Sequence, residues 1–169
     1  GVVGSALELP FTDASYSVVV SCDMLEHLPA GQRQAAVAEM LRVCGGCLLL
    51  GFPSGADAWR TYQDLASKWG RNQPAWLREH LEFGLPEVDE VAGWLEQAGW
   101  QVRCQWYESV AEHAARIWWE RSGWQRWTSY LAACLWGPWL IRREKPLSTG
   151  DPLRVLLSAT PPNFPSGGG

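Results

Sequence analysis

The sequence predicts an α/β protein with an at least partly parallel sheet, and three neighbouring segments support this prediction. Residues 18–20 (VVV) and 47–52 (CLLLGF) are short apolar runs, typical of buried parallel strands. Between them, residues 32–43 place apolar side chains at helical spacing, with Arg33 on the opposite, polar face. A strand, a helix and a strand in this order predict a βαβ unit.

The later part of the chain continues this alternation. A second helix is predicted to begin at Pro86 and to end at Gly99, because acidic residues fill its first turn and a glycine follows its apolar stripe. Residues 100–107 alternate as a strand, and residues 153–158 form the last predicted strand. Strands that alternate with helices indicate the α/β class.

Two Trp-rich segments interrupt the alternation. Residues 56–83 and 109–143 are predicted to be helical insertions over one face of the sheet. The tail, residues 161–169, is rich in Pro, Ser and Gly and is expected to be disordered. We therefore expect one domain over residues 1–160, as suits a chain of 169 residues.

Composition and charge exclude several classes of function. The 14 Lys and Arg against 18 Asp and Glu give a net charge of −4, which argues against nucleic acid as a partner. A hydrophobic share of 47% excludes a disordered chain. The 5 Cys are an odd number in apolar stretches, typical of reduced thiols in a cytoplasmic protein. Cys44 and Cys47 form a CxxC pair without a second pair, so we predict no metal site.

One continuous motif is more specific than these patterns. Residues 4–28 read GSALELPFTDASYSVVVSCDMLEHL. They resemble class I S-adenosylmethionine-dependent methyltransferases of the methyltransferase-11-like group, whose pattern is roughly GDAxxLPFxDxSFDxVxSxxxLEHL. The similarity continues through residues 33–43 and 51–53. It implies part of a Rossmann-like methyltransferase sheet, with S-adenosyl-L-methionine as the cofactor.

The resemblance also implies a set of cofactor-binding residues. Ligands of such folds bind outside the carboxyl ends of parallel strands. The candidates are Ser5, Ala6 and Leu7 on the adenine side and Ser21, Cys22 and Met24 on the methionine side. Ser5 stands where the family usually carries an acid, so a contact to the adenine amino group is weakened.

Glu26 and His27 close the same motif and are the candidate catalytic residues. In the family, this end of the loop faces the acceptor, and His27 could accept a hydroxyl proton because imidazole titrates near neutrality. The alternative is structural, with both side chains bracing the following helix.

A second segment adds candidates for the acceptor site. Residues 76–86 (WLREHLEFGLP) resemble a run in methyltransferases encoded beside glycan and sugar-nucleotide biosynthesis genes. Glu79 and His80 are therefore candidate substrate residues, or else they stiffen the loop. Residues 151–157 resemble a degenerate PYRxxxV strand of the same group, which supports the family and not a site.

Two elements of the family pattern are absent from the sequence. No GxGxG turn follows a first strand, and no acid follows a second strand to contact the ribose. We therefore expect the chain to be the carboxyl part of a longer enzyme and, by itself, to bind the cofactor weakly and to be inactive. A hydrophobic sheet edge beside residues 18–20 should then be uncovered, so the chain should be poorly stable or associate.

The functional prediction is methyl transfer from S-adenosylmethionine, most simply to an oxygen of a small or glycan-type acceptor. The alternative is a non-catalytic methyltransferase-fold remnant that contacts a partner or a membrane surface. Residues 116–127 interleave Trp with Arg, and three interpretations stay open: a helical lid on the sheet, peripheral membrane contact, or stacking on a carbohydrate or lipid-linked acceptor.

Overall fold

The computed structural model describes residues 1–109 and 152–162. Three helices follow one another between the second and third strands, and a short 3-10 turn, Leu25–His27, follows the first strand. The elements are β1 (Tyr16–Cys22), α1 (Ala30–Val43), β2 (Cys44–Pro53), α2 (Ala56–Trp69), α3 (Ala75–Phe83), α4 (Val88–Gln97), β3 (Gln101–Ser109) and β4 (Pro152–Thr160).

The four described strands form one sheet in the order β1-β2-β4-β3. β1 and β2 are parallel, with Val19 beside Leu48, and α1 connects them, which confirms the predicted βαβ unit. β4 runs antiparallel to both of its neighbours and pairs Leu157 with Leu50 of β2. The sheet is therefore mixed, with β2 and β4 in its centre and its parallel part at the β1 side.

The main hydrophobic core lies between the sheet and two helices. α1 and α4 turn their apolar stripes toward the same face of β2 and β4, as their helical spacing predicts. Fully buried members of this core are Ala36, Val37, Leu48, Leu50, Phe52, Val91, Leu95, Val155, Leu157 and Ala159. Each buried Val, Leu or Phe side chain among them contributes about 1.5–3 kcal/mol through removal from water.

The prediction that residues 18–20 form a buried strand is wrong in its burial, although the strand itself is confirmed. Val18 is 53% exposed and Val20 is 59% exposed, whereas Val19 packs against the core. β1 pairs with β2 alone among the described strands, and alternate side chains of a strand point to opposite faces. Only the face toward α1 is therefore covered, while β2, which pairs on both sides, is buried as predicted.

Residues 56–83 contain helices, as predicted, and these build a second, smaller core. α2 ends at Gly70 (φ +52°) and α3 ends at Gly84 (φ +72°), because both turns need a left-handed backbone. Tyr62 and Ala66 of α2 pack on Leu77 of α3. α3 also lies against the 3-10 turn after β1, and this contact brings residues 79 and 80 to the end of the sheet.

Other predictions fall partly or wholly outside the described residues. The Trp-rich segment 109–143 lies outside them except for its first residue, and of the tail only residues 161 and 162 are described. The helix after Pro86 and the strands at residues 100–107 and 153–158 are confirmed as α4, β3 and β4. No helix in residues 1–109 or 152–162 has the length and apolar character needed to span a membrane.

Candidate functional site

The candidate site is built on the turn that follows β1. The chain leaves the strand at Cys22, and Asp23 adopts φ +54°, a conformation that Asp tolerates better than most residues. The Asp23 N–H donates a hydrogen bond to the carbonyl of Gly51 in β2, at 2.9 Å. The 3-10 turn then places Glu26 and His27 just beyond the carboxyl end of the strand.

Four predicted site residues meet at this turn. His27 Nδ1 lies 2.6 Å from Glu79 Oε2, and His27 Nε2 lies 3.4 Å from His80 Nε2. Residues 27 and 79 are 52 positions apart in the sequence, and the packing of α3 on the turn joins them. The structure thus brings the Glu26-His27 and Glu79-His80 pairs into one cluster.

The contact with Glu79 orients the imidazole of His27. A carboxylate 2.6 Å from Nδ1 accepts the proton of that nitrogen and leaves the lone pair on Nε2. The His27 side chain is 31% exposed and the Glu79 side chain 43% exposed, so a solute can reach the pair from solvent. This arrangement can move a proton at Nε2 and stabilise the resulting imidazolium.

His80 is held by aromatic packing. Its side chain is buried, and its ring centroid lies 4.9 Å from that of Tyr62 and 5.3 Å from that of Trp76, both edge-on. The rings of His27 and His80 are 4.8 Å apart. The three ring contacts restrict rotation of His80, so its Nε2 stays directed toward His27.

Glu26 is the most buried member of the cluster. The residue is 1% exposed, and neither carboxylate oxygen has a well-aligned hydrogen bond with the described residues. Burial raises the pKa of Glu26 from its ordinary 4.5 to about 7, while its own backbone amide and the charge of Arg33 oppose this rise more weakly. Burying a carboxyl group without strong partners costs free energy of folding. Buried carboxyl groups with a raised pKa are common at functional sites.

Arg33 holds the cluster together, and the prediction that it lies on the polar face of α1 is wrong. The residue is 3% exposed. Its Nε donates to the carbonyls of Leu25 and Leu28 in the turn, and its Nη2 donates to those of Phe83 and Gly84 at the end of α3. These carbonyls lie where a helical turn ends and need donors, so the planar guanidinium ties α3 to the turn.

Arg154 is a second residue that the sequence analysis did not assign to a site. It is buried in β4, forms ion pairs with Asp23 and with Glu108, and donates from Nε to the hydroxyl of Tyr107. Its Nη2 lies 4.0 Å from Glu26 Oε1. An Arg is rarely buried unless it is paired with acidic groups. The single Arg in the apolar run of residues 153–157 is therefore a sequence feature that could have identified this residue.

The candidate cofactor residues of the turn lie at the carboxyl end of β1. Ser21 is partly buried within the strand, Cys22 is exposed, and Met24 packs against the main core. The backbone here leaves a strand whose partner, β2, is parallel, which is where ligands of such sheets bind. This placement fits a bound small molecule.

The remaining cofactor candidates form a turn near the amino end of the chain. Ser5 is exposed, and its Oγ accepts a hydrogen bond from the Leu7 N–H at 3.1 Å. Ala6 and Leu7 pack against the main core. The Ser5 hydroxyl keeps its own hydrogen to donate, so it fits an acceptor atom of a ligand better than an amino group.

Two charged residues of α1 fix the loop between this turn and β1. Glu39 Oε2 accepts the Leu9 N–H at 2.8 Å, and Arg42 donates to the carbonyls of Leu9 and Phe11 and to Asp13. The hydrogen bond from Arg42 to Glu39, with that from Leu9, lowers the pKa of Glu39 to about 2. The loop is therefore attached to α1 by charge-assisted bonds.

Part of the sequence matches a known family. Residues 1–49 match the family described as a methyltransferase domain. This region contains the motif over residues 4–28, β1, the 3-10 turn and α1. No curated protein matches the sequence.

Solved structures resemble the chain in fold. Magnesium protoporphyrin IX methyltransferase from Synechocystis PCC 6803, with bound SAH, has a TM-score of 0.50 at 12% identity, over 94% of this chain and 49% of the other. A possible histamine N-methyltransferase from Thermotoga maritima has a TM-score of 0.48 at 15% identity, over 93% of this chain and 61% of the other. The cyclase SpnF has a TM-score of 0.46 at 19% identity, over 94% of this chain and 54% of the other. The chain spans about half the length of the Synechocystis enzyme.

Proposed function

We propose that this protein transfers a methyl group from S-adenosyl-L-methionine to an oxygen of a small-molecule or glycan-type acceptor. The chain has the fold of the class I S-adenosylmethionine-dependent methyltransferases, and residues 1–49 match a methyltransferase domain. The observation that carries this proposal is the cluster of Glu26, His27, Glu79 and His80 just beyond the carboxyl end of β1.

The position of the cluster supports a role in binding the acceptor. Ligands of open α/β sheets lie outside the carboxyl ends of parallel strands, and His27 is five residues beyond Cys22, the end of β1. The bound cofactor would supply an electrophilic methyl group on sulfur. Residues that hold the acceptor in line with that methyl group would contribute most of the rate, because orientation alone accounts for several kcal/mol of a barrier.

His27 is the candidate base for a hydroxyl acceptor. Nδ1–H stays on the ring and is hydrogen-bonded to the Glu79 carboxylate, so Nε2 would accept the proton of an acceptor hydroxyl. The cofactor would supply the methyl group that the hydroxyl oxygen takes up, and its sulfur would leave as a thioether. The negative charge of Glu79 then stabilises the imidazolium. The 3.4 Å contact from His80 Nε2 to His27 Nε2 is long for a hydrogen bond, so a hydroxyl can compete for that position.

Two groups of residues would hold the cofactor. Ser21, Cys22 and Met24 follow or end β1 on the proposed methionine side, and Cys22 is exposed there. The turn at Ser5 and Leu7 would contact the adenine side, where the Ser5 hydroxyl offers a donor. These contacts are a partial set, which agrees with the absence of a GxGxG turn from the sequence.

The most specific statement of the proposal is that the acceptor is of the glycan type. It rests on the resemblance of residues 76–86 to glycan-associated methyltransferases, and the half-buried indole of Trp76 beside His80 supports it. Indole rings offer an apolar surface that suits the faces of sugar rings. Small hydroxylated acceptors without a sugar ring remain within the same chemistry.

The experiment is a methyl-transfer assay with methyl-labelled S-adenosylmethionine, using the full-length product of the gene that encodes this chain. We expect label to appear on hydroxylated acceptors, sugar nucleotides among them, and cofactor binding to be measurable by calorimetry. A folded full-length protein that does not bind the cofactor would contradict the proposal. Binding without transfer to any hydroxyl would contradict the O-methylation part alone.

A further inference from the structure

We propose that Glu26, His27 and His80 form a binding site for a divalent transition-metal ion of the zinc type, with one carboxylate oxygen and two imidazole nitrogens as ligands. No metal site is predicted from the sequence, because the three ligands do not form Cys or His pairs at the close spacing typical of such sites. The three ligands come from two segments that only the fold brings together.

The spacing of the ligand atoms carries the inference. One donor atom from each of the three side chains lies within 4.8 Å of the other two. The Nε2 atoms of His27 and His80 are 3.4 Å apart. Two imidazole nitrogens that bind one tetrahedral Zn²⁺, each at about 2.05 Å, lie roughly 3.3 Å from each other. The two nitrogens therefore already have the separation that the ion requires, and a carboxylate oxygen of Glu26, within 4.8 Å of both, is the nearest third ligand.

The buried carboxylate of Glu26 is the independent observation that points to a cation. It is 1% exposed, and neither oxygen has a well-aligned hydrogen bond with the described residues. A buried carboxylate is stable only when it is paired, protonated or bound to a metal. The one ion pair of Glu26 among the described residues is long, 4.0 Å from Oε1 to Arg154 Nη2, and that guanidinium also pairs with Asp23 and Glu108.

Neighbouring side chains hold both imidazole rings in fixed orientations, as is typical of histidines that bind a metal ion. Glu79 Oε2 accepts the proton of His27 Nδ1, which directs the lone pair of Nε2 toward the proposed ion. Tyr62 and Trp76 contact His80 edge-on and fix its ring. Glu79 thus has the position of an outer residue that sets the tautomer of a ligand histidine.

The donor set selects the kind of ion. Two imidazoles and one carboxylate suit Zn²⁺ and similar transition metals, whereas Ca²⁺ and Mg²⁺ prefer sites made of oxygen atoms. Three protein ligands leave one tetrahedral position open for water or another small ligand. This inference goes beyond the proposed methyl transfer, because the ion would occupy the Nε2 lone pair that a base needs. Zinc would then block proton transfer at His27.

The experiment titrates the 169-residue chain with Zn²⁺ by calorimetry and with Co²⁺ by visible absorption, without cofactor or acceptor. We expect one equivalent of each metal and a tetrahedral Co²⁺ spectrum that Zn²⁺ abolishes. His27→Gln and His80→Gln should each weaken Zn²⁺ binding more than about 100-fold, because each removes a ligand. Glu79→Gln, at a partly exposed position, should weaken it about 10- to 100-fold.

Two control variants distinguish this site from metal binding elsewhere on the chain. Glu82→Gln, also on α3 but outside the cluster, and Cys104→Ser, which removes an exposed thiol, should leave Zn²⁺ affinity unchanged. If the chain binds no stoichiometric metal, or if binding survives in a folded His27→Gln variant, the proposal is wrong. Circular dichroism verifies the fold of each variant. Because no methyl donor is present, failure of the methyltransferase proposal would not alter these results.

Discussion

Among the described residues, the side chain of His27 contacts Glu79 and His80, and each contact predicts a different property. Glu79 at Nδ1 sets the tautomer, and His80 at Nε2 lies close to the atom that would react. If His27 accepts a proton, it needs the contact with Glu79, whereas a hydroxyl group can displace the contact with His80. Substitutions at positions 27 and 79 therefore separate chemistry from structure at the scale of single residues.

The first prediction concerns proton transfer. In the full-length protein, His27→Gln should lower kcat for O-methylation about 10²- to 10⁴-fold, the usual contribution of a general base. Cofactor affinity should change little, because the proposed cofactor contacts are made by other residues. Labelled-methyl kinetics and calorimetry measure the two quantities, with Glu82→Gln as the matched control. Unchanged kcat would show that His27 only braces the turn.

The second prediction concerns Glu39 and the pH dependence of stability. The pKa of Glu39 is lowered from 4.5 to about 2 in the folded chain, chiefly by the hydrogen bond from Arg42. The folded state therefore binds the proton less tightly than the unfolded state does. The stabilisation is fully present above about pH 4.5 and is lost as the pH falls toward 2.

Urea unfolding of wild type and Glu39→Gln tests this relation. We expect the variant to be less stable at pH 7, and the difference between the two proteins to shrink as the pH falls from 4.5 toward 2. Glu82→Gln should show no such dependence. A difference that stays constant across this range would contradict the role of the Glu39 carboxylate.

At the scale of elements, the candidate site depends on how α1, α3 and the 3-10 turn are joined. Arg33 of α1 donates hydrogen bonds to the carbonyls of Leu25 and Leu28 in the turn and of Phe83 and Gly84 after α3. This buried guanidinium therefore connects the turn to the end of α3. Arg33 is thus a positioning residue, because it acts on the site through the backbone.

The third prediction tests this connection. Arg33→Met keeps much of the side-chain volume but leaves several buried carbonyls without donors, at about 1–3 kcal/mol for each group left unpaired. We expect the free energy of unfolding in urea to fall by at least about 2 kcal/mol, with Arg78→Met on the exposed part of α3 as the control. An Arg33→Met protein as stable as the control would show that packing alone positions α3.

At the scale of the whole molecule, helices α1 and α4 cover one face of the described sheet, and β1 forms one of its edges. Val18 and Val20 are 53% and 59% exposed on that edge strand. Exposed apolar edge strands pair readily with other chains. The self-association expected from the sequence should therefore take place at β1.

The fourth prediction follows from that edge. We expect the 169-residue chain to self-associate with rising concentration in sedimentation experiments, and Val20→Lys to reduce this association, because charge at an edge disfavours strand pairing. Val19→Lys is the contrasting variant, since Val19 packs against the core and its substitution should unfold the chain. Equal association of wild type and Val20→Lys would place the contact elsewhere.

The sequence by itself determined the elements whose signals are local. Helical spacing placed α1, acidic residues and Gly99 delimited α4, and the apolar run at residues 47–52 placed β2. The motif at residues 4–28 pointed to the methyltransferase fold, which is confirmed. These predictions succeeded because the side-chain periods of helices and strands are properties of neighbouring residues.

The tertiary structure alone decided how the candidate site is assembled. His27 and Glu79 are 52 positions apart, and no local pattern states that α3 packs on the turn after β1. The burial of Arg33 and Glu26 and the exposure of Val18 likewise depend on which element covers each face. The sequence named the residues of the cluster in two separate motifs, and packing between distant segments brought them within bonding distance.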